Sequence, residues 1–159
     1  MKKLSDFIKI AKNSKVEVGA SWSGDACNDI TNVIVRDIKL GKVDQVIVPK
    51  TGNTIHSHPR GCKDIDNCSI QWPSASDMAL YAERYDETHL CYTKEGKTYL
   101  IKSNYMFDED SVECIKQFYD KLEAYFDGDN IDSHADYTKI FMVTAKLHKW
   151  FTIKLLHVD

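Results

Sequence analysis

His56-Ser57-His58-Pro59 decides the predicted fold, together with the later stretch Pro73-Ser74-Ala75-Ser76-Asp77. Residues two apart in an extended strand point to the same face, so His56 and His58 present two imidazoles side by side. Pro59 has a fixed φ and no backbone N–H, which favours the end of a strand at this point. Ser74 and Asp77 have nearly the form of a capping box, which predicts that a helix begins near Ser74.

Two imidazoles at a strand end and a carboxylate on the first turn of the next helix can supply three metal ligands. Three protein ligands and a water are typical of catalytic zinc, whereas a structural site takes all four ligands from the protein. Each pattern alone is weak, because His-x-His often places two polar residues on a strand and Ser-x-x-Asp often only caps a helix. Glu17, an acidic residue among strand formers beside Gly19, adds a candidate general base.

Glu17, His56-Ser57-His58-Pro59 and Ser74-Ala75-Ser76-Asp77 together resemble the motif of the JAMM (MPN+) zinc metalloproteases, the JAB-domain family. The resemblance extends over residues 16–85, and no diagnostic motif follows it. The interval between Pro59 and Ser74 is longer than is usual in the family, which predicts an extra loop over residues 60–72.

The resemblance implies a single MPN/JAB-like domain over residues 1–159, of α/β class and α+β type. A curled mixed β-sheet flanked by helices is expected, with the zinc site at a strand end and a helix N-terminus. The motif-bearing core would cover residues 16–102, and C-terminal helices and a strand would follow over residues 111–158.

The resemblance also implies the site chemistry. One catalytic Zn²⁺ would be held by His56, His58 and Asp77 and would lower the pKa of its water to about 7. Glu17 would take the proton from that water and deliver it to the leaving amine. Ser74 would donate a hydrogen bond to the oxyanion rather than act as a nucleophile, because no His-Asp pair is placed to activate it.

Proteins of this family mostly cleave isopeptide bonds between a lysine and the C-terminal tail of ubiquitin or a ubiquitin-like protein. The expected function is therefore that of an isopeptidase on a ubiquitin-like protein or its conjugates, whose tail can add as a strand to the sheet. Two alternatives stay open. A peptidase acting on cell-wall or precursor peptides would usually need a partner domain or an export signal. A non-catalytic MPN-type scaffold has typically lost ligands that are present here.

The composition excludes several classes of partner. Net charge is −3, with 21 basic and 24 acidic residues intermixed and no Lys/Arg block, so no nucleic-acid binding is expected. No window approaches the roughly 20 apolar residues of a membrane span. Five cysteines in no framework spacing favour a reducing compartment, and the predicted location is cytoplasmic. The oligomeric state is left open.

Periodicity predicts the remaining elements. The first half contains a helix over 4–13, capped by Ser5 or Asp6, and strands over 16–21, 31–38, 43–48 and 54–58. The second half contains a hairpin of 88–93 with 97–101, a helix over 111–126 capped by Ser111, a helix over 135–148 and a strand over 151–155. His89 is expected to be a cross-strand partner rather than a ligand. Cys62 and Cys68 are either a second metal site or redox switch, or two ordinary thiols in the loop.

Overall fold

The computed structural model describes residues 2–26, 29–42, 46–58, 73–93, 96–125 and 134–157, with side chains in the last range described from residue 139. In these residues the elements are β1 (Lys2–Lys3), α1 (Leu4–Asn13), β2 (Val18–Ser23), β3 (Ile34–Leu40), β4 (Asn53–Ser57), α2 (Ala75–Glu83), β5 (Thr88–Tyr92), β6 (Thr98–Ser103), α3 (Glu109–Tyr125), α4 (His134–His148) and β7 (Phe151–Leu156). A 3₁₀ turn at Ile30–Asn32 precedes β3. No helix in the described ranges has both the length and the apolar character needed to cross a bilayer.

The seven described strands form one mixed sheet in the order β1-β3-β2-β4-β5-β6-β7. Strand β2 is antiparallel to both β3 and β4, whereas β4 and β5 are parallel. The predicted mixed α/β class is therefore confirmed.

By its internal contacts the chain divides into two compact units. The first comprises Met1–Gln71, Thr88–Leu100 and Lys154–Asp159, and the second comprises Trp72–Glu87 and Ile101–Ile153.

The core of the first unit lies between α1 and the apolar face of the strands. Leu4, Phe7 and Ala11 recur at helical spacing and are buried, which confirms the predicted helix over 4–13. They join a cluster of strand residues that includes Val18, Ala20, Trp22, Val33, Val35, Ile55, Leu90 and Tyr92. The predicted cap is wrong, because the N-cap residue is Lys3, whose backbone N–H donates to the Asp6 carboxylate at 2.9 Å.

The strand predictions before the His-x-His stretch need three corrections. Strand β2 begins at Val18, so Glu17 immediately precedes it rather than lying within it. Strand β3 begins at Ile34, because Asp29 accepts the backbone N–H of Thr31 and closes a 3₁₀ turn in place of the ladder. The hairpin partner predicted over 43–48 is wrong for residues 46–48, which form no strand, since β1 and β2 occupy the two edges of β3. Residues 43–45 lie outside the described residues.

The second unit has an aromatic core. Tyr119 is buried and lies 5.5 Å from Phe141 and 6.4 Å from Phe151, measured between ring centroids. Burial of this phenol raises its pKa above the usual range. The predicted cap of the helix over 111–126 is wrong. Helix α3 begins at Glu109, and the carboxylate of Asp108 accepts the Ser111 backbone N–H at 2.7 Å.

Replacing Asp108 with alanine removes this cap, and we expect Tm to fall by about 2–4 °C at neutral pH. Hydrogen bonds from the Ser111 side chain and backbone lower the pKa of Asp108. Its contribution to stability is therefore present above an unfolded-state pKa of about 3.9 and is lost as pH falls through the lower folded-state value. Asp108→Asn keeps a hydrogen-bond acceptor but cannot titrate. Thermal unfolding measured between pH 2 and 7 should therefore give a Tm close to that of wild type at pH 7, and a smaller fall in Tm than wild type shows as the pH is lowered. Equal Tm values for Asp108→Ala and wild type at pH 7 would contradict the cap.

Candidate metal centre

The strands of the first unit have one apolar face and one polar face. Alternation along β4 places Ile55 in the core and its neighbours Thr54 and His56 on the opposite face, with His58 two residues further on. Alternation along β5 does the same for His89 and Cys91. These polar-face residues are nevertheless buried: His56 and His58 are 4% and 5% exposed, and His89 and Cys91 are 0% exposed. At these positions the second face is therefore buried rather than solvated.

The pairing of β2 with β4 brings Glu17 to His58. Gly19 lies opposite His56 in this antiparallel register, so two residues further along Glu17 lies across from His58. The Glu17 carboxylate Oε1 is 3.8 Å from His58 Nδ1, and Glu17 is only 7% exposed. The structure therefore brings the acidic residue to His58, whereas Glu17 as a general base stays a prediction.

Backbone hydrogen bonds fix the position of Glu17. Its N–H donates to the carbonyl of Lys42 and its carbonyl accepts from the N–H of Gly41, both at 2.7 Å. One residue further, the Val18 N–H donates to the Ser57 hydroxyl at 3.0 Å, which joins the start of β2 to the end of β4. Glu17 is therefore held by main-chain contacts on one side and by the Ser57 contact beside it.

A group of three donors lies on this polar face. The rings of His56 and His58 are 5.1 Å apart between centroids and inclined by 58°. Cys91 lies beside His56 in the parallel register of β4 and β5. One ligand-capable atom of each residue lies within 4.8 Å of the others, so this buried group can bind a metal ion. Ligands of a tetrahedral zinc are about 3.3–3.8 Å apart at normal bond lengths, so a shift of about 1 Å would close the group around a metal.

The donor chemistry of this group fits a transition metal. Imidazole nitrogen and cysteine sulfur suit zinc and its neighbours, whereas magnesium and calcium prefer oxygen. The Nε2 atoms of both rings are shielded from solvent and make no hydrogen bond in the described part of the chain, although both residues have other contacts. The group's donor types and its burial therefore both fit a bound transition metal.

His89 has the role that the sequence predicted. It lies opposite Thr54 across β4 and β5, and its Nδ1 is 2.7 Å from the Thr54 hydroxyl. The three-donor group does not include it. His89 is thus confirmed as a cross-strand partner.

Ser74 and Asp77 form the predicted capping box in the second unit. Ser74 is the N-cap of α2, and its hydroxyl accepts the Asp77 N–H at 3.1 Å. The Asp77 carboxylate Oδ2 accepts the Ser74 N–H at 2.9 Å. Asp77 as a zinc ligand stays a prediction, and so does Ser74 as an oxyanion donor. Pro59 and the predicted loop, with Cys62 and Cys68, lie outside the described residues.

Cys91 is the site residue that sequence reasoning missed. The alternation of Thr88–Tyr92 does place His89 and Cys91 on one face, which is a local signal. Its proximity to His56 depends on a parallel pairing between strands separated by a helix, and no spacing in the sequence gives that register.

Comparisons of the chain with protein-family models, curated proteins and solved structures found no match.

Gly19, opposite His56, provides a test of how tightly this part of the sheet is packed. A Cβ at position 19 would lie 2.9 Å from Val46 Cγ2 and 3.3 Å from Val48 Cγ1. We therefore expect Gly19→Ala to lower the free energy of unfolding by about 1–3 kcal/mol, measured by urea denaturation. Adding Val46→Ala should recover much of that loss. Strictly additive effects of the two changes in a double-mutant cycle would contradict the contact.

Proposed function

We propose that this chain is a zinc-dependent metalloprotease of the JAMM type, an isopeptidase that removes a ubiquitin-like protein from lysine. The observation that carries the proposal is the carboxylate of Glu17 at 3.8 Å from His58, beside His56, on a buried polar face. A hydrolase of this class needs a base next to its metal ligands but not among them. Glu17 meets this requirement, because it is not a member of the three-donor group.

In this proposal His56, His58 and Asp77 hold the zinc. When bound, zinc supplies Lewis acidity toward the scissile carbonyl and the attacking water. The Glu17 carboxylate accepts the proton of that water and returns it to the leaving amine. Its main-chain bonds to Gly41 and Lys42 support this role by holding the backbone that carries the carboxylate.

Ser74 would stabilise the oxyanion. Its hydroxyl oxygen accepts the Asp77 N–H in the capping box, and a hydroxyl that accepts a hydrogen bond can still donate its own proton. Removal of one oxyanion donor typically costs about 10²–10³ in rate. The cap thus supports Ser74 as an oriented donor.

The substrate class follows from the motif resemblance. An extended C-terminal tail can pair with a sheet through its backbone. Ubiquitin-like proteins end in such a tail. Peptide substrates of cell-wall or precursor type stay as the alternative within the same chemistry.

A non-catalytic MPN-type scaffold is the second candidate, and Cys91 is the observation that favours it. Structural zinc takes four protein ligands, whereas catalytic zinc leaves one position open. A thiol grouped with His56 and His58 adds a potential protein ligand to those of the motif. The presence of bound zinc without turnover would support this candidate.

Zinc content distinguishes the proposed base, Glu17, from a proposed zinc ligand, His58. Wild-type protein and Glu17→Gln should each contain about one zinc by mass spectrometry, while His58→Ala should contain much less. Hydrolysis of a panel of ubiquitin-like conjugates should fall about 10²–10⁴-fold in Glu17→Gln. His157→Ala, at an exposed histidine, is the matched control and should keep both zinc and activity. Absence of zinc from all of these proteins, with circular dichroism showing them folded, would contradict the metalloprotease.

Two substitutions at Ser74 separate helix capping from oxyanion donation. Ser74→Ala should lose about 0.5–2 kcal/mol of stability and about 10²–10³ in kcat. Ser74→Asp keeps a capping acceptor but has no hydroxyl donor, so its Tm should stay near that of wild type while kcat falls as in the alanine variant. A Ser74→Asp protein with wild-type kcat would contradict the donor role.

A further inference from the structure

We propose that Cys91 binds the metal directly as a thiolate, together with His56 and His58. These three ligands, two nitrogens and one sulfur, all come from the first compact unit. This inference rests on the proposed function only in taking a metal to be bound. It adds a ligand that the motif does not contain.

Two sets of main-chain contacts hold Cys91 beside the histidines. The parallel register of β4 and β5 pairs His56 with Cys91, and paired residues of adjacent strands project to the same face. The His58 N–H donates to the carbonyl of Tyr92 at 2.9 Å, which extends the pairing one residue beyond β4. The backbones of both histidines are therefore hydrogen-bonded to the strand that carries the thiol.

The surroundings of Cys91 favour a ligand over a filler of the core. Buried cysteines often act as small apolar residues. The core cluster of this unit lies on the other face of the strands, where the neighbours Leu90 and Tyr92 join it, although Val46 and Val48 also pack on the second face at Gly19. Cys91 instead shares its face with His56, His58 and His89, and it is in the thiol form. Its sulfur therefore lies among nitrogen donors.

Binding changes the bonding at Cys91 in a defined way. The S–H bond breaks, the proton goes to solvent, and the sulfur lone pair forms the bond to the metal. The thiolate offsets part of the charge of a divalent ion in a buried site. A set of two imidazoles and a thiolate prefers zinc, cobalt or cadmium over magnesium, calcium or manganese.

X-ray absorption at the zinc edge tests the ligand set on the full-length protein loaded with zinc alone. Wild type should show one sulfur at about 2.3 Å and nitrogen or oxygen ligands at about 2.0–2.1 Å. Cys91→Ser should lose the sulfur and raise the Kd for zinc at least about tenfold. Cys114→Ser, at an exposed cysteine, and the double variant Cys62→Ser/Cys68→Ser are matched thiol controls and should keep the sulfur.

The spectra of wild type and of the two thiol controls together decide the question even if Cys91→Ser fails to fold. A shell of nitrogen and oxygen alone would overturn the inference and leave the metalloprotease standing. A sulfur lost in Cys62→Ser/Cys68→Ser but kept in Cys91→Ser would also overturn it. A sulfur shell in a protein that hydrolyses no conjugate or peptide would support the inference and contradict the proposed function. Wild type that takes up no zinc would contradict both, and metal content alone identifies that result.

Discussion

The register of β4 between β2 and β5 is the constraint on which the candidate site depends. A shift of one residue would move every side chain of β4 to the opposite face, so that His56 would enter the apolar core and Ile55 would leave it. Ile55 is fully buried within the core cluster, so hydrophobic packing against α1 selects the native register. The Ser57 hydroxyl, which accepts the Val18 N–H, adds a polar contact specific to that register. The geometry of the donors is in this sense a product of apolar packing on the other face.

Polar groups on the buried face carry a cost that the fold offsets locally. A buried imidazole or carboxylate loses its interactions with water, and hydrogen bonds, ion pairs or a metal must replace them. The Thr54 hydroxyl provides such a contact for His89, and Glu17 lies within ion-pair distance of His58. A domain selected for stability alone would place apolar residues at these positions, since well-packed apolar residues often replace buried ion pairs without loss. Concentration of such groups in one register therefore points to function.

The sequence predicted what is local and failed where pairing is distant. Helices α1, α2 and α3 follow from apolar spacing over a few turns, and the Ser74–Asp77 box is a contact between residues three apart. Residues 46–48 have strand composition, but composition does not reveal that β1, a strand of two residues, occupies the free edge of β3. The caps at Lys3 and Asp108 were missed because several polar residues lie close together at each helix start and the geometry of the first turn selects among them. Among the candidate site residues, Glu17, His56 and His58 were predicted from a motif, whereas Cys91 required the β4–β5 register.

The third ligand determines what a metal at His56 and His58 can do. A carboxylate such as that of Asp77 is a weaker electron donor than a thiolate, so it leaves more positive charge on zinc and makes the ion a stronger Lewis acid. A thiolate from Cys91 reduces that charge but binds zinc more firmly. With either one as third ligand, a fourth position stays open for water. With both, the protein fills all four positions and the centre has the ligand count of a structural site. In the proposed function and its alternative, hydrolase and scaffold would therefore differ in whether the Cys91 thiolate and the Asp77 carboxylate bind the metal singly or together.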